Sequence, residues 1–235
     1  MKKLGLIGGL SWYSTIKYYQ IINEIVNKEL GYSNSANLII NSLNLQQVKT
    51  LQENNQWKEI QNLMIESANQ LEKAGAECII ICSNTPHKVA DGIINNINIP
   101  FIHIADSTVI EVRRNEIKKV ALLGTSYTLN SDFYKSKLND AGIELIVPNL
   151  EDAYFIHQTI FTELTFGIVT AKTKKRYIEI INSLSTQGAE GVIFGCTEIS
   201  LSVKQGDINI KIFDTTEIHA NAAADFSLRN YTSPI

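Results

Sequence analysis

Two related segments of the chain each carry a side chain that could transfer protons. GAECIIICSNT (75–85) and GAEGVIFGCTE (188–198) align from their shared Gly-Ala-Glu, which places Cys196 opposite Ser83 and leaves Cys82 one position early. A thiol has an ordinary pKa of about 8.5, which local charge readily lowers towards neutral pH. Two such groups on opposite sides of a carbon could remove a proton from one face and return one to the other.

The elements that would position these groups follow a regular pattern. Short apolar runs, typical of strands buried on both faces, alternate with longer segments of helical periodicity. The predicted strands are LGLI (4–7), NLIIN (37–41), CIII (78–81), PFIHI (100–104), VALL (120–123), IELIV (143–147), GVIF (191–194) and IKIF (210–213). Segments 57–74 and 173–187 each place apolar residues on one helical face. This alternation predicts an α/β fold with parallel sheets.

The repeat extends beyond the first two segments. LGLIGG (4–9) matches VALLGT (120–125), and INIPFIHIADST (97–108) matches INIKIFDTTEI (208–218), in the same order along the chain. We therefore expect two similar α/β subdomains with parallel sheets related by pseudo-two-fold symmetry. Ligands of open parallel sheets bind at the carboxyl ends of strands, so the predicted active site lies in the cleft between the subdomains.

The boundary between the halves is predicted at the charged segment that precedes the second set of strands. The N-terminal α/β half then comprises 1–110 and the C-terminal half 111–235. A final helix, at about 216–230, is expected to pack back on the first half.

Each half also has a glycine turn followed by hydroxyl side chains. The candidates for substrate binding are Ser11 and Thr15 in the first half and Thr125 and Thr128 in the second. Hydroxyls beside the free N–H groups of a helix N-terminus bind small anions such as carboxylates. The G-x-G-x-x-G spacing of dinucleotide sites and the Lys-Ser/Thr of phosphate loops are both missing from these turns.

Composition excludes several classes of partner. The net charge of -3 gives no electrostatic reason to expect nucleic acid or an anionic membrane, and no apolar run approaches the length of a membrane span. Three cysteines without an export signal indicate reduced thiols and a cytoplasmic protein. Cys78, Cys82, His87 and His103 lack a diagnostic ligand spacing, so we expect no metal.

Four motifs resemble those of the aspartate/glutamate racemase family, the pyridoxal-phosphate-independent amino-acid racemases with two catalytic cysteines. They are GGLSWYST (8–15), CSNTPHK (82–88), LLGTSYTLNSDFY (122–134) and GCTEI (195–199). The resemblance runs from Gly5 to about His219. It implies an amino-acid substrate, no cofactor and a homodimer.

The resemblance assigns Cys196 as the second catalytic thiol, with Ser83 where the family has the first. It assigns the substrate carboxylate and amine to Asn84, Thr85 and Thr197, and a facing hydroxyl to Thr125. Either Ser83 faces the cleft and Cys82 is a core residue, or a local twist presents Cys82 instead.

The Ser83 alternative makes the catalytic pair asymmetric. If the serine hydroxyl is about as weak an acid as water, at about 15.7, its anion costs roughly 10 kcal/mol more to form than a thiolate at about 8.5. Proton abstraction is then expected through Cys196. In the family the second thiol acts on the L-amino acid, so the resemblance implies a preference for L-substrates.

Other positions bear on specificity. Strict aspartate racemases of the family carry two basic residues where this chain has Gln46 or Gln47 and Thr165, and Glu163 adds a negative charge nearby. The chain is more similar to the broad-specificity branch. Glu163 is a candidate substrate contact or a solvated helix residue, and Glu198 either orients Cys196 or caps a helix.

Two further functions are compatible with the sequence. One-thiol relatives on this scaffold include decarboxylases, which protonate a carbanion from one side, so a decarboxylase or isomerase is one alternative. The other is a protein that binds a small carboxylate without turnover.

Overall fold

The computed structural model describes residues 1–229 and 231. The chain divides into two compact units, one made of Met1–Ile104 together with the chain from His219, the other of Ala105–Ile218. Each unit contains a parallel β-sheet, so the predicted α/β fold with two parallel sheets is confirmed.

The first unit has a three-stranded sheet in the order β2-β1-β3. Its elements are β1 (Leu4–Gly8), α1 (Trp12–Leu30), β2 (Leu38–Ser42), α2 (Leu45–Glu53), α3 (Trp57–Lys73), β3 (Cys78–Ile81), a 3-10 helix (Thr85–Val89) and α4 (Ala90–Ile94). Strand β1 pairs in parallel with both neighbours, so the ends of β1 and β3 lie side by side.

The two faces of β3 pack against different layers, as the two-residue period of a strand requires. Cys78 and Ile80 join a core that includes Tyr18 of α1 and Ala220 of the final helix. Ile79 and Ile81 join the opposite core, formed largely with α3. The final helix, from His219 onward, thus packs on the first unit.

The predicted strand 100–104 is absent as a strand. Phe101 forms a single parallel bridge with Ile79, through hydrogen bonds from Ile79 N to Pro100 O and from Ile102 N to Ile79 O. The ladder cannot continue, because the carbonyl of Ile102 accepts a hydrogen bond from His219 Nε2 and a helix begins at Ile104.

The second unit has a four-stranded parallel sheet in the order β5-β4-β6-β7. Its elements are α5 (Ile104–Arg114), β4 (Lys119–Leu123), α6 (Ser126–Leu129), α7 (Asp132–Asp140), β5 (Glu144–Ile146), α8 (Leu150–Thr162), a 3-10 helix (Leu164–Phe166), α9 (Ala171–Thr186), β6 (Gly191–Phe194), α10 (Ile199–Ser202), a 3-10 helix (Gln205–Asp207), β7 (Lys211–Asp214) and the start of α11 (Thr215–Leu228). Among the described residues, none of the helices is long and apolar enough to cross a membrane.

The unit boundary differs from the one expected at 110/111. Helix α5 runs without interruption through that position, and Asp106 within it forms an ion pair with Lys137 of α7 at 2.6 Å. The chain therefore enters the second unit at Ala105, at the start of α5.

The repeat seen in the sequence is present in the sheets. Strands β2-β1-β3 and β5-β4-β6 have the same order, and the Ile79–Phe101 bridge matches the Val192–Ile212 pair of β6 and β7. In the first unit this pairing is a single bridge, whereas in the second unit it extends along the whole of β7.

Gly9 forms the turn between β1 and α1 and has a φ of 75°. A Cβ at this position would lie 2.0 Å from the Leu43 carbonyl oxygen. We predict that Gly9→Ala lowers the free energy of unfolding by about 3 kcal/mol or more, from backbone strain and collision together. Gly142→Ala is the control, because Gly142 also has a positive φ but open space around it, and should cost only about 1 kcal/mol. Urea denaturation measures both, and equal losses would contradict the collision.

Candidate active site

The ends of β1 and β3 place the first unit's candidate residues at one edge of its sheet. Cys82 N donates to the Ile7 carbonyl at 2.9 Å, so the ladder continues one residue beyond β3. Ser14 Oγ donates to the Cys82 carbonyl at 2.8 Å. The backbone of Cys82 is therefore held in the extended register of the strand.

Cys82 has the surroundings of a core residue. Its side chain has 0% exposure and packs on the same face as Cys78 and Ile80. Burial raises the pKa of the Cys82 thiol far above its ordinary value. A thiol so placed forms no thiolate near neutral pH.

Ser83 is the first residue of this strand end to reach solvent, with a half-buried side chain. Its carbonyl accepts a hydrogen bond from Nδ1 of the buried His87 at 2.9 Å, and the Asn84 carbonyl contacts the same nitrogen at 3.2 Å. A carbonyl can only accept, so Nδ1 carries the proton. His87 thus fixes the loop backbone, and the buried Asn84 and Thr85 follow Ser83 directly.

The hydroxyls after β1 organise the turn into α1. Ser11 is the N-cap of α1, and its Oγ accepts from Ser14 N at 3.4 Å. Thr15 Oγ1 accepts from Gly9 N at 2.9 Å and donates to the Ser11 carbonyl at 3.0 Å. Both side chains are buried.

The corresponding turn of the second unit begins after β4. Thr125 is the N-cap of α6, and its Oγ1 accepts from Thr128 N at 3.3 Å. The two hydroxyls lie 3.3 Å apart, and Thr128 is fully buried. The buried Thr128 therefore fixes the orientation of the Thr125 hydroxyl.

Cys196 lies two residues beyond β6, at the same sheet edge as Thr125. Gly195 N donates to the Leu123 carbonyl at 2.7 Å, which holds this segment against the end of β4. The half-buried Cys196 packs against the core face that includes Val192 and Phe194. That face corresponds in the repeat to the face of Ile79 and Ile81, so Cys196 has the register of Ser83.

A carboxylate lies beside the Cys196 thiol. Cys196 Sγ donates to Glu198 Oε2 at 3.0 Å, and the hydroxyl of Thr197 donates to the same oxygen. Burial, and next the Glu198 carboxylate, raise the pKa of Cys196 well above its ordinary value. The thiol is therefore protonated at rest.

The candidate specificity residues have local contacts. Glu163, half-buried at the end of α8, accepts from Thr173 Oγ1 at 2.6 Å. Thr165 Oγ1 contacts the Phe161 carbonyl at 3.4 Å. Gln46 and Gln47 are exposed in the first turn of α2.

Three buried histidines lie next to the Ser83 loop. The ring of His87 lies 4.7 Å from that of His103 and 5.5 Å from that of His219. His219 Nε2 donates to the Ile102 carbonyl, and Nδ1 accepts from Tyr18 Oη at 2.9 Å. The cluster joins residues distant in sequence, and no local motif indicates it.

This cluster predicts acid sensitivity. Burial lowers the pKa of His219 from 6.5 to about 4 and lowers that of His87 as well. Between pH 6.5 and pH 4 the unfolded chain binds more protons than the folded chain. The contribution of the buried neutral histidine to the free energy of unfolding is therefore fully present above pH 6.5 and is lost as the pH falls towards 4. His219 alone should account for roughly 3 kcal/mol. Urea denaturation at pH 7.5 and 4.5 measures this loss, which should be smaller in His219→Gln. An equal loss in both proteins would contradict the assignment.

In the described part of the chain no group of three or more His, Cys, Asp or Glu side chains could hold a metal ion. Cys78 and Cys82 are both in the core, and the rings of His87 and His103 pack against each other.

The structure thus defines an α/β protein in which each parallel sheet ends in a polar edge, one with a serine and the other with a thiol in the corresponding register. The chain belongs to the Asp/Glu/Hydantoin racemase family, whose model matches residues 7–223. This result confirms the resemblance drawn from the motifs.

Individual relatives agree with this membership. A protein from Yersinia pestis, provisionally assigned as an Asp/Glu racemase, is 44% identical with a TM-score of 0.91, over 97% of this chain and 100% of that one. An aspartate racemase homologue from Pyrococcus horikoshii OT3 is 37% identical with a TM-score of 0.84, over 97% and 99%. The broad-specificity amino-acid racemase RacX of Bacillus subtilis (strain 168) is 24% identical over 165 residues, 67% of this chain and 68% of its own length.

Proposed function

We propose that the protein is a cofactor-independent amino-acid racemase that interconverts L- and D-amino acids at the α-carbon. The observation that carries this proposal is the position of Cys196, a half-buried thiol just beyond the end of β6 in the register of Ser83. Family membership supports the same chemistry, since the matched relatives are described as racemases.

In the proposed mechanism Cys196, as thiolate, removes the α-proton of the L-amino acid. Ser83 of the first unit acts on the opposite face of the carbanion, relaying a proton from solvent. Removing a proton from the D-enantiomer would require Ser83 as the base, which is costly for a hydroxyl. The proposed enzyme therefore favours L-substrates.

Hydrogen-bonding groups at the two sheet edges are the proposed ligands of the substrate. Asn84 and Thr85 in the first unit, and Thr125 and Thr197 in the second, are proposed to hold the α-carboxylate and amine. Ser11 and Thr15 support the first turn through the contacts described above. Thr128 acts through Thr125.

Substrates without an acidic side chain are proposed to be favoured over aspartate and glutamate. Gln46, Gln47 and Thr165 supply no cation for a second carboxylate, and Glu163 would repel one. RacX is described as a broad-specificity amino-acid racemase, which supports the proposal that more than one side chain is accepted. A homodimer and a cytoplasmic location are proposed on the resemblance and on the reduced thiols.

Chiral chromatography tests this function. Purified protein without added pyridoxal phosphate is incubated with a panel of L-amino acids, and the D-enantiomer is measured. We expect D-product from neutral amino acids and less from aspartate and glutamate. Carbon dioxide release from a substituted malonate, with no D-product from any amino acid, would instead indicate a decarboxylase.

A further inference from the structure

Glu198 occupies the N-cap position of α10, but its side chain lies against the Cys196 thiol and does not cap the helix. It precedes α10, yet its side chain accepts no capping hydrogen bond from that helix. Its Oε2 instead accepts from the Cys196 thiol and the Thr197 hydroxyl. Of the two roles that the sequence leaves open, the structure shows the contact with Cys196.

The burial of Glu198 is unusual for a carboxylate. The residue is 5% exposed, and its second oxygen, Oε1, is buried without a hydrogen-bond partner. Among the described residues no lysine or arginine forms an ion pair with it. Carboxylates are seldom buried without a paired charge, so this position needs an explanation beyond stability.

Electrostatics restrict how the Cys196 thiolate can form. Two negative charges 3.0 Å apart in a buried setting repel strongly, so loss of the thiol proton to solvent beside a charged carboxylate is disfavoured. Transfer of that proton to the carboxylate leaves one negative charge in the pair. Internal transfer therefore avoids the repulsion.

We propose that Glu198 is the positioning residue of Cys196. In the free protein its carboxylate accepts the hydrogen bond of the thiol, and it takes up that proton when the thiolate forms. The S–H bond breaks, an O–H bond forms on Oε2, and the electron pair stays on sulfur. The thiolate then forms an S–H bond with the α-hydrogen as the Cα–H bond breaks, and that pair stays on carbon. After the forward reaction Glu198 releases its proton to solvent, which balances the proton that Ser83 relays from solvent and restores the resting pair. In the reverse direction the protonated Glu198 returns its proton to sulfur.

This inference rests on the proposed racemase function, and two measurements separate them. Iodoacetamide alkylation against pH reports the thiolate of Cys196, because Cys78 and Cys82 are fully buried. Exchange of the α-proton of L-amino acids in heavy water reports the reaction. Both are measured for the parent protein, Glu198→Gln, Glu198→Asp and the control Glu190→Gln, which changes an exposed carboxylate of the same unit.

Removing the negative charge should shift alkylation and exchange in opposite directions. In Glu198→Gln the midpoint of alkylation should move down by at least about one pH unit, because the repelling charge is gone. Exchange should nevertheless fall by about 10²-fold, since the proton acceptor is lost. Glu198→Asp should recover part of the exchange, and Glu190→Gln should match the parent in both.

Two results would overturn the inference. An unchanged alkylation midpoint in Glu198→Gln would show that Glu198 does not hold the thiol proton. A lowered midpoint with exchange equal to or above that of the parent would show that Glu198 only suppresses the thiolate. If the parent exchanges no amino acid, the racemase proposal fails and the alkylation midpoint alone decides whether Glu198 holds the proton.

Discussion

Ser83→Cys should raise the rate at which the protein removes the α-proton of D-amino acids by about 10²-fold, because it supplies a thiol at the position proposed to face the substrate. Ser83 is half-buried, and the two-residue period of the strand places it on the same face as Ile79 and Ile81. The rate with L-substrates should change much less, since Cys196 is unaltered. Deuterium exchange followed separately for each enantiomer measures the change.

Cys82→Ala is the matched control for that variant. Cys82 belongs to the core with Cys78 and Ile80, so its truncation should cost about 1 kcal/mol of stability and leave exchange at the parent rate. No gain in Ser83→Cys, together with loss of activity in a folded Cys82→Ala, would show that Cys82 is the reactive group and that the register assignment is wrong.

Cys196→Ser should reduce exchange from L-amino acids by at least about 10³-fold. The substitution keeps the size of the side chain, yet the serine anion costs roughly 10 kcal/mol more to form than the thiolate. Only part of that difference enters the rate, because proton transfer is incomplete in the transition state. Exchange rates at saturating substrate, at pH 7.5 and 9, measure the loss.

A folded Cys196→Ser protein should still bind its substrate, since Asn84, Thr85 and Thr125 are untouched. Calorimetric titration with the L-amino acid checks binding, and thermal unfolding checks the fold. Exchange retained within a factor of about three of the parent rate would exclude Cys196 as the principal base.

The sequence predicted most strands of the two sheets but also predicted one, at 100–104, that does not form as a strand. Strands 78–81 and 191–194 were predicted with the bounds observed, because each is a short apolar run that follows Gly-Ala-Glu and is too short for a helix. The run 100–104 is equally apolar but ends after one bridge. Its termination depends on His219, more than a hundred residues away, which no local pattern indicates.

The candidate site shows the same limit. The repeat predicted that Cys196 and Ser83 share a register, because strand alternation is a local property. The role of Glu198 could not be assigned, since a residue that precedes a helix is suited equally to capping and to contact with Cys196. Only the positions of its oxygens separate the two. The histidine cluster brings together His87, His103 and His219, and its assembly requires the tertiary fold.

Exchange of the α-proton with solvent is the direct signature of the proposed racemase chemistry. The parent protein, without pyridoxal phosphate, is incubated in heavy water with matched L- and D-enantiomers of neutral amino acids, and the α-proton signal is followed by NMR. We expect the L-enantiomer to exchange faster than the D-enantiomer, and we expect exchange to disappear in Cys196→Ser. Folded protein that exchanges neither enantiomer of any amino acid would contradict it.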